Sequence, residues 1–148
     1  MKQSNQTLPR GLAALGYAGL LPFVACLLGI VLLDGAARDL AVRALVGYGA
    51  VILSFLGAVH WGLVLREPGA AAPARLAVGV LPSLVGWVAL LLADRHALAL
   101  LVVATGAFWL YEHRVVGAGF LPRAYLDLRR QLSLAVCALL TLGLLAVG

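Results

Sequence analysis

His60 is the residue with the clearest chemical potential. It lies in a run, 44–65, that holds no Asp, Glu, Lys or Arg. On helical rise it sits about 8 Å inside the end of that run. An ionisable group at such a depth is costly in an apolar surrounding, which makes it a functional candidate. An imidazole there can handle protons, contact a ligand, or bind a metal or haem. A plainer role stays open: a neutral ring hydrogen-bonded to a neighbouring helix, with Trp61 as an interfacial anchor. His113 falls at a comparable level, and His96 at the opposite one. Two histidines without a third ligand or a C-x-x-C-H string are a weak metal or haem signal, so neither metal nor cofactor is expected. The string Glu112-His113-Arg114 is read as a solvated, charged helix end.

Other chemistry is sparse. Ser54 belongs to a stripe, Ala50, Ser54, Ala58 and Gly62, that recurs every four residues. Such a stripe lets a second helix backbone approach closely or lines a ligand cleft. Cys26 and Cys137 fall about 13 Å apart in depth, too far for a disulfide, and read as packing residues. No Gly-rich phosphate loop with its Lys is present, so a nucleotide site is not expected. No catalytic set emerges, and no enzyme activity is expected.

The elements that must position these residues are apolar. Of 148 residues, 64% are hydrophobic and only 11% charged, against roughly a quarter charged in soluble domains. That excludes disorder and makes a soluble globule improbable. The net charge of +5 fits basic residues flanking membrane spans better than nucleic-acid binding. Uncharged runs and their flanks predict a single bundle of five transmembrane helices. Their bounds are 12–33, 44–65, 76–93, 97–113 and 125–147. The first is read as a retained span, because it exceeds the apolar core of a signal peptide. The connections Asp34–Arg43, Arg66–Arg75, Asp94–His96 and Glu112–Leu121 are too short for a soluble domain.

Two prolines fall inside spans, Pro22 and Pro82. Each removes a backbone donor and kinks its helix; the kink at Pro82 is one way to open a cavity. Before the last span, residues 122–131 predict an amphipathic helix start at the interface. Tyr125, Leu128 and Leu132 share one face, and Arg123, Asp127 and Arg130 another. Alternating the sides puts eight Lys and Arg on one side and three on the other. The basic excess then places the amino terminus in the cytoplasm and the carboxyl terminus outside.

The string Ile52-Leu53-Ser54-Phe55-Leu56-Gly57-Ala58-Val59-His60-Trp61-Gly62 resembles a family of small membrane proteins of unknown function. These are bacterial proteins grouped with the eukaryotic transmembrane protein 69 (domain of unknown function 3429). Gly19-Leu20-Leu21-Pro22-Phe23, Pro82-Ser83 with Trp87, and Leu121-Pro122 with Tyr125 and Leu128-Arg129 extend the likeness over most of the chain. Ala124 stands where the family usually has Trp. The resemblance implies a polytopic inner-membrane protein, with mitochondrial relatives in eukaryotes. It implies no activity, cofactor or substrate. It does draw attention to Ser54, His60, Trp61, Pro82 and Arg129 as pocket or packing residues.

Two functions are therefore expected in competition. One is a non-enzymatic accessory or assembly protein of the inner membrane, meeting the lipid bilayer and either its own copies or another membrane protein. The alternative is a small transporter or binder of a lipid-like ligand, with a cytoplasmic-side pocket around His60, Ser54 and Trp61 shaped by Pro82.

Overall fold

Pro22 divides the first apolar run. Its ring replaces an amide and clashes with the carbonyl four residues back, so one span becomes two helices, α1 (Arg10–Ala18) and α2 (Leu21–Leu32). In the computed structural model, which describes residues 10–66, 69, 72–116 and 123–148, Pro22 occupies the first turn of α2. The hydroxyl of Tyr48 donates to the Gly19 carbonyl at the break, at 3.0 Å. The expected single helix over 12–33 is thus two segments that together remain long and apolar enough to cross a bilayer.

The next departure is larger. The stretch 34–43, expected as a connection, is mostly helix. Helix α3 runs Gly35–Arg66, 32 residues, or about 48 Å. Charge alone does not end a helix, and Ala, Arg and Leu favour one. The real turn is confined to Leu33 and Asp34. Gly35, at φ +55°, supplies the left-handed backbone that a tight reversal needs. Because α3 exceeds the roughly 30 Å hydrocarbon thickness, its first turns can carry Arg38, Asp39 and Arg43 beyond the apolar layer.

Helices α4 (Ala72–Leu91) and α5 (Asp94–Tyr111) follow, then a π-helical turn, Glu112–Val116, and finally α6 (Arg123–Val147). No strand occurs among the described residues. The molecule is an all-α membrane protein. Four stretches, α1–α2, α3, α4 and α6, are long and apolar enough to span a membrane. Helix α5, the counterpart of the expected span 97–113, is not among them, since its first turn holds Asp94, Arg95 and His96.

Helix α3 is central and packs against α2, α4, α5 and α6. Its buried face reads Ala50, Leu53, Gly57, His60, Val64, a three-then-four spacing. The stripe of small residues read from the sequence is only partly this face. Ala50 is buried, but Ala58 and Gly62 are exposed. The close approach to α4 is made instead by Gly57 against Gly79 and by Ala50 against Gly86. A Cβ at Gly57 would lie 2.3 Å from the Gly79 carbonyl oxygen. Around this seam Phe23, Leu45, Leu53, Leu98, Leu101 and Leu140 are fully buried. In lipid their attraction comes from dense packing rather than water exclusion.

Helix α6 is described from Arg123, and Pro122 lies outside the described residues. Arg123, Asp127 and Arg130 are exposed, while Leu128 is buried and Tyr125 half-buried, as the two-faced pattern requires.

Candidate functional site

The same spacing that buries leucines also buries charge. On α5 and the turn after it, Leu101, Thr105, Phe108 and Glu112 form one inward stripe. On α6 the stripe is Arg129, Ser133, Val136, Leu140 and Gly143. Where these stripes meet the His60 turn of α3, three ionisable side chains are forced together. His60, Glu112 and Arg129 are 1%, 4% and 7% exposed.

His60 Nε2 stands 3.2 Å from Glu112 Oε1. Where Glu112 is ionised its oxygens only accept, and the donor of this contact is then Nε2–H. Arg129 Nη2 lies 2.8 Å from Glu112 Oε2. That contact is an ion pair whose angle is not that of a hydrogen bond, so Oε2 and Nη2 both remain without a hydrogen-bond partner. Glu112 thus bridges a base on α3 and a cation on α6. With the ring neutral, the clasp carries no net charge. That limits the cost of burying it, since an unpaired ion in a low dielectric costs several kcal/mol or more.

Aromatic rings wall the clasp. Phe108 meets the His60 ring edge to face at a centroid distance of 5.3 Å, and Tyr111 tilts over it at 6.1 Å. His60 Nδ1, Arg129 Nε and Ser133 Oγ are buried without hydrogen-bond partners. Ser133 contrasts with Ser54 and Thr141. Those two hydroxyls donate to their own i−4 carbonyls, Ala50 at 2.8 Å and Cys137 at 2.7 Å.

Two cavities flank Arg129 between α1, α3 and α6. One of about 150 Å³ is lined by Gly16, Phe55, Thr105, Arg129, Leu132 and Ser133 among others. The second, of about 460 Å³, shares Leu15, Gly16, Phe55, Leu56, Arg129 and Leu132 with it. A third, of about 290 Å³, lies where Pro82 of α4 faces Ala104 and Phe108 of α5, and its lining is apolar throughout.

The five candidate residues read from the sequence are therefore dispersed. His60 and Arg129 meet through Glu112. Pro82 is buried against Gly57 and lines the apolar cleft, with Phe108 and Tyr111 standing between that cleft and His60. Ser54 turns back on its own helix. Trp61 is exposed, and its Nε1 donates to the Leu76 carbonyl at 3.2 Å. None of the three cavities above is lined by His60, Ser54 or Trp61, and the two beside the clasp open on Arg129.

Glu112 is the correction with most weight. Expected as a solvated helix end, it is the hub of the clasp. The uncharged run stops at Tyr111, which hid that Glu112 continues the inward three-and-four spacing of Leu101, Thr105 and Phe108. His113, one residue on, is exposed and stacks on Trp109 at 5.8 Å, so it does not pair with His60. One histidine and one carboxylate fall short of a metal centre, and among the described residues no three His, Cys, Asp or Glu gather. Cys26 and Cys137 are free.

Sequence likeness covers the whole clasp. The family model "Protein of unknown function (DUF3429)" matches residues 8–145. Transmembrane protein 69 of Xenopus tropicalis is 39% identical over 100 residues, 66% of this chain and 39% of that protein. The Mus musculus protein of the same name is 38% identical over 93 residues, 60% of this chain and 38% of its own length. The match to this chain thus spans about two-fifths of those relatives. No solved structure matches.

Proposed function

Because this chain belongs to the DUF3429 family of membrane proteins, and its buried ionisable groups are bound to one another, we propose that it is a non-enzymatic accessory or assembly protein of the inner membrane. The clasp supports a fixing role. Its three side chains come from three separate segments and hold α3, α5 and α6 in register, with Glu112 engaged on both oxygens rather than free to act as a base.

The observation that carries the interaction role is the outward face of α3. Ala58 and Gly62 are exposed one turn apart, and a Cβ at Gly62 would meet nothing within 4 Å. A partner helix, from a second copy or another membrane protein, can approach there as closely as α4 does at Gly57. The excess of Lys and Arg near Arg66, Arg75, Arg114 and Arg123 supports a cytoplasmic amino terminus and an external carboxyl terminus for five crossings.

The test is Gly62→Leu in the full chain. In mild detergent, native gels and chemical cross-linking of the unaltered protein are expected to show a larger complex that the variant loses at an unchanged melting temperature. A lone monomer that co-purifies with nothing overturns the reading.

A second reading rests on the cavities at Arg129. A membrane protein with buried donors facing an apolar cleft is suited to hold a lipid-like ligand.

A further inference from the structure

The donors at the α1–α3–α6 cleft lack acceptors. Arg129 Nε and Ser133 Oγ are buried and unpartnered, and both residues line the cavity that continues along Leu15, Phe55 and Leu132. Ser133 could have bonded its own helix, as Ser54 and Thr141 do, and has not. A buried donor left alone costs about 1–3 kcal/mol, so two together in one cleft mark a place where something else supplies oxygen atoms.

The charge count selects what that is. Glu112 already balances Arg129 at 2.8 Å. A further anion would leave an uncompensated buried charge, which is the costly arrangement. An uncharged carbonyl oxygen accepts from Arg129 Nε–H and the Ser133 hydroxyl without that cost. Apart from Thr105 and Tyr125 the rest of the lining is apolar, with Leu15, Phe55, Leu56 and Leu132 along it. Resting on the second reading above, we propose that this cleft binds an uncharged lipid-chain amphiphile whose head presents carbonyl oxygens, either an acyl ester or a quinone. The head sits between Arg129 and Ser133, and the tail follows α1 and α6 toward lipid.

The experiment uses the full chain in phosphatidylcholine nanodiscs, photolabelled with a diazirine-bearing monoacylglycerol and mapped by peptide mass spectrometry. Labelling is expected on the α1 and α6 peptides that carry Leu15 and Leu132. Excess monoolein or a decyl benzoquinone is expected to displace it; the stronger competitor identifies the head. Ser133→Ala is expected to weaken competition about fivefold, the loss of one hydrogen bond. Leu132→Trp, which fills the cleft on its Gly16 side, should remove the labelling at an unchanged melting temperature. Displacement by ionised oleate but by neither uncharged competitor overturns the ligand class and leaves the pocket standing. Labelling at these peptides that nothing displaces overturns the pocket itself.

Discussion

His60 Nε2 and Glu112 Oε1 face each other at 3.2 Å across the packed centre of the bundle, 52 positions apart in the chain and both sealed from the surroundings. With Arg129 on the other carboxylate oxygen, the pair joins three side chains that are each expensive to bury alone into one unit. A unit of that kind is sensitive to the loss of one member and tolerant of joint removal.

Glu112→Gln is therefore expected to strand the Arg129 cation and destabilise the protein by about 3–5 kcal/mol. Arg129→Met alone should strand the carboxylate with a similar cost. The double variant Glu112→Gln with Arg129→Met is expected to be less destabilised than either single change. Unfolding in mixed micelles checks this as a double-mutant cycle. Additive costs would show that the two groups do not act as a unit.

Arg38 secures the opposite end. Its Nε donates to the Ile30 carbonyl at 3.2 Å and its Nη2 to the Ala146 carbonyl at 2.6 Å. A cation on the last carbonyls of α2 and α6 satisfies groups that a helix cannot satisfy itself, and it opposes the negative end of each dipole. Arg38→Gln is expected to cost about 1–3 kcal/mol. It should speed amide exchange in the last turns of α2 and α6 while leaving the α3–α4 seam protected. Hydrogen-exchange mass spectrometry reads both regions.

Gly57 and Gly62 give opposite expectations on one helix. Gly57→Ala drives a methyl to 2.3 Å from the Gly79 carbonyl oxygen. Overpacking of that sort costs about 1–3 kcal/mol and should lower the melting temperature. Gly62→Ala enters open space and gains helix propensity of up to about 1 kcal/mol, so stability should hold or rise. Thermal melts of the two variants side by side decide the point.

Five crossings would put the chain ends in different compartments, with α5 as the crossing that this depends on. A periplasm-active reporter fused after Gly148 is expected to be active, and the same reporter ahead of Met1 silent. Activity of both, or of neither, would mean an even number of crossings and would remove α5 from the membrane.

How much was legible follows from what each residue's neighbours are. Composition and uncharged runs identify an apolar helical membrane protein, because hydropathy is a property of single residues summed along the chain. Pro22 announces its break for a local reason too, since a missing amide acts within one turn. His60 stood out because an imidazole inside an uncharged run is anomalous wherever the run ends up. Glu112 was not anomalous in that way. At the edge of an uncharged run, a carboxylate in water and one in a clasp look alike. Its inward position was encoded only in the phase of Leu101, Thr105 and Phe108, and phase becomes meaningful once the facing helix is known. The stripe at Ala58 and Gly62 was legible only in part for the same reason. Small residues permit close approach, but whether a helix comes depends on which face α4 meets.

The chain alone determined that apolar helices would cross lipid and that His60 would be costly to bury. Only the tertiary structure decided that the cost is met by Glu112 and Arg129. A helix sets the spacing of its own side chains, but the partner of a buried charge is chosen by how helices distant in sequence rotate and dock.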